Sequence, residues 1–257
     1  MNSREEQLSA LDRLLTIMDE LREKCPWDRK QTMISLRHLT IEETYELGDA
    51  ILNNEMDEVK RELGDLLLHI FFYSKIGSES GDFDIADVAS GISEKLINRH
   101  PHIYGDVEVA DEEEVKQNWE KIKLKEGKKS VLEGVPAGLP SLVKASRIQD
   151  KVAGVGFDWE QADDVLDKIS EEIDELKQAL NTTDKSAIEE EFGDVLFSLV
   201  NYGRFIDVNP ENALERTNIK FIKRFRFLED KAKQAGQQLQ DMTIEQMELL
   251  WQQAKSV

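Results

Sequence analysis

The feature that most constrains this chain is an acidic pattern that occurs twice at one constant spacing. In the first copy, "EETYE" at 42–46 is followed by "ELGD" at 62–65. In the second copy, "EEIDE" at 171–175 is followed by "EFGD" at 191–194, so the acidic residues and the glycine recur after 129 residues. A pattern that repeats over two separate segments indicates that the chain contains two copies of one structural unit.

The segments around both patterns have the periodicity of α-helices. Only 14 glycines and 5 prolines occur in 257 residues, so few positions would interrupt a helix. We therefore predict an all-α fold that is a tandem repeat of two helical units. The predicted helices are 4–24, 33–53, 57–77, 84–99, 112–127, 140–152, 161–180, 184–207, 211–235 and 243–255. The Gly- and Pro-containing stretch "EGKKSVLEGVPAGLPSL" at 126–142 predicts a linker, and "NRHPHIYGDVEVAD" at 98–111 predicts a loop. The predicted domains are 1–127 and 141–257, joined by a linker at 128–140.

The composition restricts the partners of the chain. A net charge of −20 opposes binding to nucleic acid and to anionic membranes. The longest apolar run, around "LLLHIFFY", is far shorter than the ~20 residues that cross a bilayer. Cys25 is the only cysteine, so no intrachain disulfide can form. We therefore predict a cytoplasmic protein that binds neither nucleic acid nor membranes.

In the second copy, the acidic residues lie beside the apolar faces of two consecutive helices. Helices joined by a short loop pack antiparallel, which can bring Glu172 and Glu175 opposite Glu191 and Asp194. Such like charges repel unless a cation compensates them, and an oxygen-only set favours Mg²⁺ or Mn²⁺. The alternative is a solvated acidic face, but the duplicated spacing favours a metal site. The predicted apolar stripes are Val165, Ile169, Ile173, Leu176 and Leu180, and Ile188, Phe192, Val195, Leu196 and Leu199.

A basic cluster stands out in this acidic chain, in "TNIKFIKRFRFLEDK" at 217–231. Lys220 and Arg224 are four residues apart and share a helical face, where they could hold adjacent phosphates. The ordinary interpretation is salt bridging with nearby acids. Beside a divalent-metal cluster, the phosphate interpretation is favoured, with Asn201 and Asn218 as possible neutral donors. Trp251 could cover a nucleobase, although packing is the commoner role of such a tryptophan.

These motifs together resemble the MazG family of nucleoside triphosphate pyrophosphohydrolases. In the first half, "CPWDRKQTMISLRHLTIEETYEL", "ELGDLLLHIFF", "NRHPHIYGD" and "NWEKIKLKEGK" carry the resemblance. In the second half, "SVLEGVPAGLPSLVKASRIQDKVAGVGFDW", "EEEFGDVLFSLVN", "NIKFIKRFRFLE" and "MELLWQQAK" carry it. The resemblance covers nearly the whole chain, as a tandem of two MazG-type units. One departure is Met33, where family members usually carry His.

The resemblance implies a homodimer. It also implies cleavage of nucleoside triphosphates between the α and β phosphates, with Mg²⁺ as the cofactor and Mn²⁺ as its substitute. The products would be a nucleoside monophosphate and pyrophosphate. The implied catalytic residues are Glu171, Glu172 and Lys168. The implied metal ligands are Glu172, Glu175, Glu191 and Asp194. The implied substrate-binding residues are Lys168, Asn201, Asn218, Lys220, Lys223, Arg224 and Trp251.

The two copies differ beside their carboxylates. The first copy keeps Glu42, Glu43, Glu46, Glu62 and Asp65 as a second cluster. It has Leu39, Phe72, His69 and Ser93 where the second copy has Lys168, Asn201, Ser198 and Asn218. We therefore predict that the second unit is the main catalyst, and that the first is weaker, altered in substrate or chiefly structural.

Two alternatives stay open at the level of the sequence. The chain could be a related all-α pyrophosphohydrolase restricted to dUTP, dCTP or phosphoribosyl-ATP. It could also be a helical regulatory module in which the acidic repeats only mediate assembly. Metal-dependent release of pyrophosphate from mixed nucleoside triphosphates distinguishes an enzyme from the regulatory module.

Overall fold

The computed structural model describes residues 1–111, 114, 115, 118, 119, 122 and 130–255. Within these residues the regular structure is helical and no strand is present, which confirms the predicted all-α fold. The helices are α1 (Arg4–Lys24), α2 (Met33–Asn53), α3 (Met56–Ser80), α4 (Ile85–Arg99), α5 (Pro101–Tyr104), α6 (Ser141–Ala153), α7 (Ala162–Leu180), α8 (Lys185–Phe205), α9 (Pro210–Gln234) and α10 (Ile244–Ala254). None of the described helices is long and apolar enough to cross a membrane.

The predicted helices agree with these bounds to within three residues wherever both are described. One element differs, because the predicted loop at 98–111 contains the short helix α5. A four-residue helix that begins at a proline is too short to show a helical period. The predicted helix at 112–127 lies mostly outside the described residues, so it stays a prediction.

The chain divides into two compact units, Met1–Val109 and Ala110–Val257. The predicted domain boundary after 127 lies outside the described residues, and residues 130–140 of the predicted linker form turns without a helix.

In the first unit, α2 and α3 form a helical hairpin, and α1 packs against α3. Asn54 adopts a left-handed conformation (φ 60°) that ends α2, and the Glu55 amide donates to the Ala50 carbonyl over 2.9 Å. Met18, Leu36 and Phe72 form the buried core of this unit, one from each helix. The acidic residues of the first copy therefore lie on a hairpin that is anchored by apolar packing.

In the second unit, α7 and α8 form the corresponding hairpin, α6 packs on α8, and α9 packs on α6 and α10. The Asp184 side chain begins α8 by accepting from the backbone amides of Ser186 and Ala187. Before α7, Gly156 adopts a positive φ of 87°, a conformation that favours glycine. This turn sends the segment Phe157–Trp159 back toward α8, where Asp158 meets Arg204.

The predicted apolar stripes of α7 and α8 are only partly buried. Val165, Ile169 and Val195 are buried as expected. The residues of the stripes that are instead exposed are Ile173, Leu180, Phe192, Leu196 and Leu199. Helical periodicity groups residues on one face but does not say how much of that face the rest of the chain covers. The α7–α8 hairpin of a single chain therefore has an exposed apolar surface.

Candidate functional site

Three carboxylates of the second unit converge between α7 and α8. Glu172 and Glu175 lie one turn apart on α7, and Glu191 faces them from α8. One carboxylate oxygen from each residue lies within 4.8 Å of the other two. Glu172 is only 6% exposed, because its position on α7 adjoins the buried stripe of Val165 and Ile169. The hairpin thus holds three acidic groups at a spacing that a single cation can bridge.

Lys168 compensates part of this negative charge. Its ammonium lies 2.8 Å from a carboxylate oxygen of Glu172 and 3.0 Å from one of Glu171. The hydrogen bond to Glu172, followed by that to Glu171, raises the pKa of Lys168. Loss of hydration, followed by the charge of Glu172, raises the pKa of Glu175, and Lys168 opposes this shift. One lysine among four acidic residues leaves an excess of negative charge at the site.

The donor set fits a hard divalent cation. Glu172, Glu175 and Glu191 offer oxygen ligands only, which Mg²⁺ and Mn²⁺ prefer over softer metals. Loss of hydration and the charge of Glu172 raise the pKa of Glu175, and a bound cation would favour its ionised form. These three residues could therefore hold such a cation.

Asp194, the fourth predicted ligand, is not part of this group of three. It instead lines a small cavity of about 170 Å³ beside Glu172 and Lys168. Ser198 and Asn201 lie further along the same wall on α8. The Asn201 side-chain oxygen accepts a hydrogen bond from Arg204 over 2.9 Å, which directs the amide nitrogen elsewhere. The cavity is thus lined by the ammonium group of Lys168, the carboxylates of Glu172 and Asp194, and the neutral polar side chains of Ser198 and Asn201.

The predicted basic and aromatic residues of α9 and α10 lie apart from this cavity within one chain. None of Asn218, Lys220, Lys223, Arg224 and Trp251 is among the described residues that line it. The Arg224 guanidinium lies 6.0 Å from the ring centre of Trp251, and Asn218 donates to Glu215 over 3.0 Å. The reason is that α9 packs on α6 and α10, whereas the carboxylates lie between α7 and α8.

The first unit holds the corresponding three carboxylates. Glu43, Glu46 and Glu62 also bring one oxygen each to within 4.8 Å of the others. Loss of hydration is the first cause that raises the pKa of each of the three. The charge of Asp65 contributes to all three shifts. Loss of hydration and the neighbouring negative charges therefore disfavour the ionised form of all three carboxylates in this cluster.

What lies beside the first cluster is apolar. Leu39, which takes the place of Lys168, packs against the core of Met18, Leu36 and Phe72. Phe72, which takes the place of Asn201, is 2% exposed. His69, in the place of Ser198, is buried, and burial lowers its pKa. The space that forms a polar cavity in the second unit is thus filled by the core of the first.

Four residues near the second cluster were not predicted from the sequence. Gln149, Asp158, Trp159 and Arg204 line a second cavity, of about 480 Å³, that adjoins the first. They lie on α6, on the turn before α7 and at the end of α8. Gln149, Asp158 and Trp159 lie in a stretch that carries the family resemblance, but that resemblance gave them no role. The fold brings the four residues together through the pairing of Asp158 with Arg204 and the hydrogen bond from Gln149 to the Phe197 carbonyl.

The fold and the two clusters define a duplicated all-α protein with three converging carboxylates in each copy. The model of the MazG nucleotide pyrophosphohydrolase domain matches residues 31–104 and 161–226. A nucleoside triphosphate pyrophosphohydrolase of Escherichia coli K12 is 42% identical over 96% of this chain and 98% of its own length. The chain therefore belongs to the MazG family.

Two other relatives also match more than nine-tenths of this chain. A nucleoside triphosphate pyrophosphohydrolase/pyrophosphatase MazG of Thermotoga maritima is 45% identical over 95% of each chain. The protein YabN of Bacillus subtilis is 46% identical over 93% of this chain, which corresponds to 50% of its own length. The resemblance predicted from the motifs is thereby confirmed over both units.

Proposed function

We propose that the second unit hydrolyses nucleoside triphosphates between the α and β phosphates, with Mg²⁺, to a nucleoside monophosphate and pyrophosphate. The observation that carries the proposal is the convergence of Glu172, Glu175 and Glu191 beside Lys168. The family and the names of the full-length relatives support the same reaction. Mn²⁺ would be an alternative metal.

The residues divide the chemistry between them. Lys168 offers a positive charge to a phosphate oxygen, and Glu171, which is largely solvent-exposed, accepts the proton of the attacking water. The water oxygen bonds to the α phosphorus, the bond from that phosphorus to the bridging oxygen breaks, and pyrophosphate leaves with the electron pair. Glu172, Glu175 and Glu191 would hold a divalent cation, which would offset phosphate charge when bound. Asp194 lies outside this group of three and would contribute from the wall of the adjoining cavity, beside Glu172.

A second copy of the chain would complete the site. The exposed apolar residues of α7 and α8, among them Phe192, Leu196 and Leu199, form a surface that a homodimer would cover. Within one chain, the predicted substrate-binding residues of α9 and α10 do not line the cavity. These residues are Asn218, Lys220, Lys223, Arg224 and Trp251, and they could bind the substrate only as a further wall of the site. A homodimer could supply that wall, and the second unit would then be active only as a dimer.

Two further features follow from the sequence. The single cysteine supports a cytoplasmic location, where thiols stay reduced. The first unit, with its cluster of Glu42, Glu43, Glu46, Glu62 and Asp65, would act mainly as a structural or weaker copy, since apolar side chains fill the space beside it.

The test is a panel of ribo- and deoxyribonucleoside triphosphates together with phosphoribosyl-ATP, incubated with the full chain and Mg²⁺, Mn²⁺ or a chelator. We expect a monophosphate and pyrophosphate in equal amounts from several of them, and none with the chelator. Activity on dUTP, dCTP or phosphoribosyl-ATP alone would support a single-nucleotide enzyme. Absence of pyrophosphate with every nucleotide and metal would support the non-catalytic module.

A further inference from the structure

The amide of Asn201 lies where the two cavities of the second unit meet. Asn201 lines both the cavity of about 170 Å³ beside Glu172 and the adjoining one of about 480 Å³. Its side chain projects from α8, about one turn before Arg204. An amide accepts hydrogen bonds at its oxygen and donates them at its nitrogen. The end of the amide that is free therefore decides which groups of a ligand it can bind.

The guanidinium of Arg204 fixes the orientation of this amide. One of its terminal nitrogens donates to the Asn201 side-chain oxygen over 2.9 Å. A guanidinium has donors only, so the amide nitrogen cannot take that place. The amide nitrogen of Asn201 donates to none of the residues that the structure describes. Two N–H donors of Asn201 are therefore available to a ligand.

Asp158 holds the guanidinium in place. Its two carboxylate oxygens accept from the two terminal nitrogens of Arg204, one of them over 2.7 Å. Two such hydrogen bonds fix both the position and the plane of a guanidinium. The backbone amide of Trp159 donates to the same carboxylate over 2.9 Å, which holds Asp158 on the turn before α7. The nitrogen that contacts Asn201 therefore belongs to a fixed group.

The ordinary alternative is an arginine that binds phosphate directly. The carboxylate of Asp158 compensates the charge of Arg204, and both side chains are about three-quarters buried, with 27% and 24% exposed. Arg204 lines the larger cavity, but it is not among the described residues that line the smaller one beside Lys168. Both observations favour an action of Arg204 on the ligand through Asn201.

The corresponding positions of the first unit carry different side chains. The residue 129 positions before Arg204 is Lys75, whose ammonium lies 2.6 Å from a carboxylate oxygen of Asp19 on α1. The residue 129 positions before Asn201 is Phe72, which has no polar end to orient. The pairing of an arginine with an amide is therefore specific to the unit that has the polar cavity.

We infer that Arg204, held by Asp158, is a positioning residue that leaves the Asn201 amide nitrogen free to donate to an acceptor oxygen of the nucleotide, on its sugar or its phosphates. The inference rests on the proposed function. It gives Arg204 and Asp158 a role that the motifs did not give them. A hydrogen bond that is made both before and during the reaction affects the KM and leaves kcat unchanged.

The experiment is a double-mutant cycle of Arg204→Lys and Asn201→Ala in the full chain, with pyrophosphate release from ATP and Mg²⁺ as the readout. Arg204→Lys copies Lys75 and keeps a positive charge opposite Asp158, but it loses the planar fork. It should raise the KM by roughly 3- to 10-fold, the value of one hydrogen bond, with kcat within about twofold. A partly unfolded variant would instead lower kcat and leave the KM unchanged.

The second arm of the cycle separates positioning from a general structural role. In the Asn201→Ala background, Arg204→Lys should change the KM by less than about twofold, because the amide that Arg204 positions is gone. An equal rise of the KM in both backgrounds, or no rise in either, would overturn the inference. The matched control is Arg147→Lys, since Arg147 pairs with Asp150 on an exposed face of α6, and its KM should equal that of the wild type.

A further variant tests the orientation of the amide without any change at Arg204. Asn201→Asp keeps the size of the side chain and an oxygen for the guanidinium, but it replaces the N–H donors by a second oxygen. It should raise the KM at least as much as Asn201→Ala does. A KM of Asn201→Asp within about twofold of the wild type would overturn the inferred orientation.

The nucleotide 2′,3′-dideoxy-ATP identifies the acceptor. If the effect of Arg204→Lys persists with this nucleotide, the acceptor oxygen belongs to the phosphates, and if the effect disappears, it belongs to a sugar hydroxyl. If the wild type releases no pyrophosphate from any nucleotide, the proposed function fails and this inference fails with it. An active wild type with equal effects in both backgrounds overturns this inference alone.

Discussion

Phe72 in the first unit lies in a buried core with Met18 and Leu36, whereas Asn201, at the same place in the second unit, lines a polar cavity beside Glu172. The carboxylates around these positions are alike, with one oxygen from each of three glutamates within 4.8 Å in both units. The comparison separates two requirements. Three glutamates on a hairpin can hold a cation, but a substrate also needs space and polar partners next to them.

An arginine illustrates the same difference. In the first unit, Arg22 lies over the ring of Phe72 and pairs with Glu79, so it fastens α1 to α3. In the second unit, Arg204 pairs with Asp158 and Asn201, so it shapes a cavity wall. The first unit thus has a partly exposed ion pair between two packed helices, and the second has one in the wall of a cavity.

The largest expected effect concerns Phe72. Phe72→Ala should lower the unfolding free energy of the first unit by about 3–5 kcal/mol, because it removes a ring from the core. Asn201→Ala should cost the second unit less than about 1 kcal/mol, since that side chain borders a cavity. Hydrogen exchange of each hairpin, followed by mass spectrometry, measures both. Similar losses in the two units would contradict the assignment of a structural role to one position and a ligand role to the other.

The next effect concerns the lysine that the first unit lacks. Lys168→Leu, which copies Leu39, should lower kcat/KM for pyrophosphate release by roughly 100- to 1,000-fold, because one positive charge is lost from the substrate side. Leu39→Met is the control in the first unit and should leave kcat/KM within about twofold. A loss of less than about threefold in Lys168→Leu would show that Lys168 does not stabilise the transition state.

A smaller effect is the dependence of the first unit on pH and metal. The pKa values of Glu43, Glu46 and Glu62 are raised in the folded state, so the folded chain holds protons more tightly than the unfolded chain. The resulting stability is present at acid pH and is lost as pH rises through the folded pKa values. Without metal, the first unit should unfold at a lower temperature at pH 8 than at pH 5.

Mg²⁺ should reverse this trend, because the cation compensates the ionised carboxylates at pH 8 and competes with protons at pH 5. Thermal unfolding at both pH values, with and without Mg²⁺, measures the effect, and Glu46→Gln should weaken it. A stabilisation by Mg²⁺ that is independent of pH and of Glu46 would place the cation elsewhere.

The smallest effect concerns the ion pair at Glu79. The hydrogen bond from Arg22 lowers the pKa of Glu79, so its stabilisation is present above the unfolded pKa and is lost as pH falls through the folded one. Because Glu79 is partly solvated, Glu79→Gln should cost only about 1 kcal/mol at pH 7 and less at pH 3. Urea denaturation at both pH values tests this. An equal cost at both would show that the effect is not electrostatic.

The helices and the carboxylates were predictable from the sequence, for different reasons. Helix bounds follow from periodicity and from caps such as Asp184, which are local in the chain. The grouping of Glu172 with Glu191 follows from two helical faces joined by a short loop. The exposure of Phe192 was not predictable, because a period identifies a face but not its cover.

The larger cavity shows the limit of motif reasoning most clearly. Gln149 and Arg204 contact partners 48 and 46 residues away, Phe197 and Asp158, so the local sequence does not show which residues they pair with. The distance of α9 from the carboxylates was also not predictable, since helix order along the chain does not determine which helices pack together.

The most direct measurement of the difference between the units is pyrophosphate release by Glu172→Gln and Glu43→Gln, two substitutions that keep the size of the side chain. Both proteins are assayed with ATP and Mg²⁺ after their folding is checked by circular dichroism. We predict a loss of roughly 100- to 1,000-fold for Glu172→Gln and less than about twofold for Glu43→Gln. Equal losses from the two substitutions would contradict the proposal that catalysis belongs to the second unit.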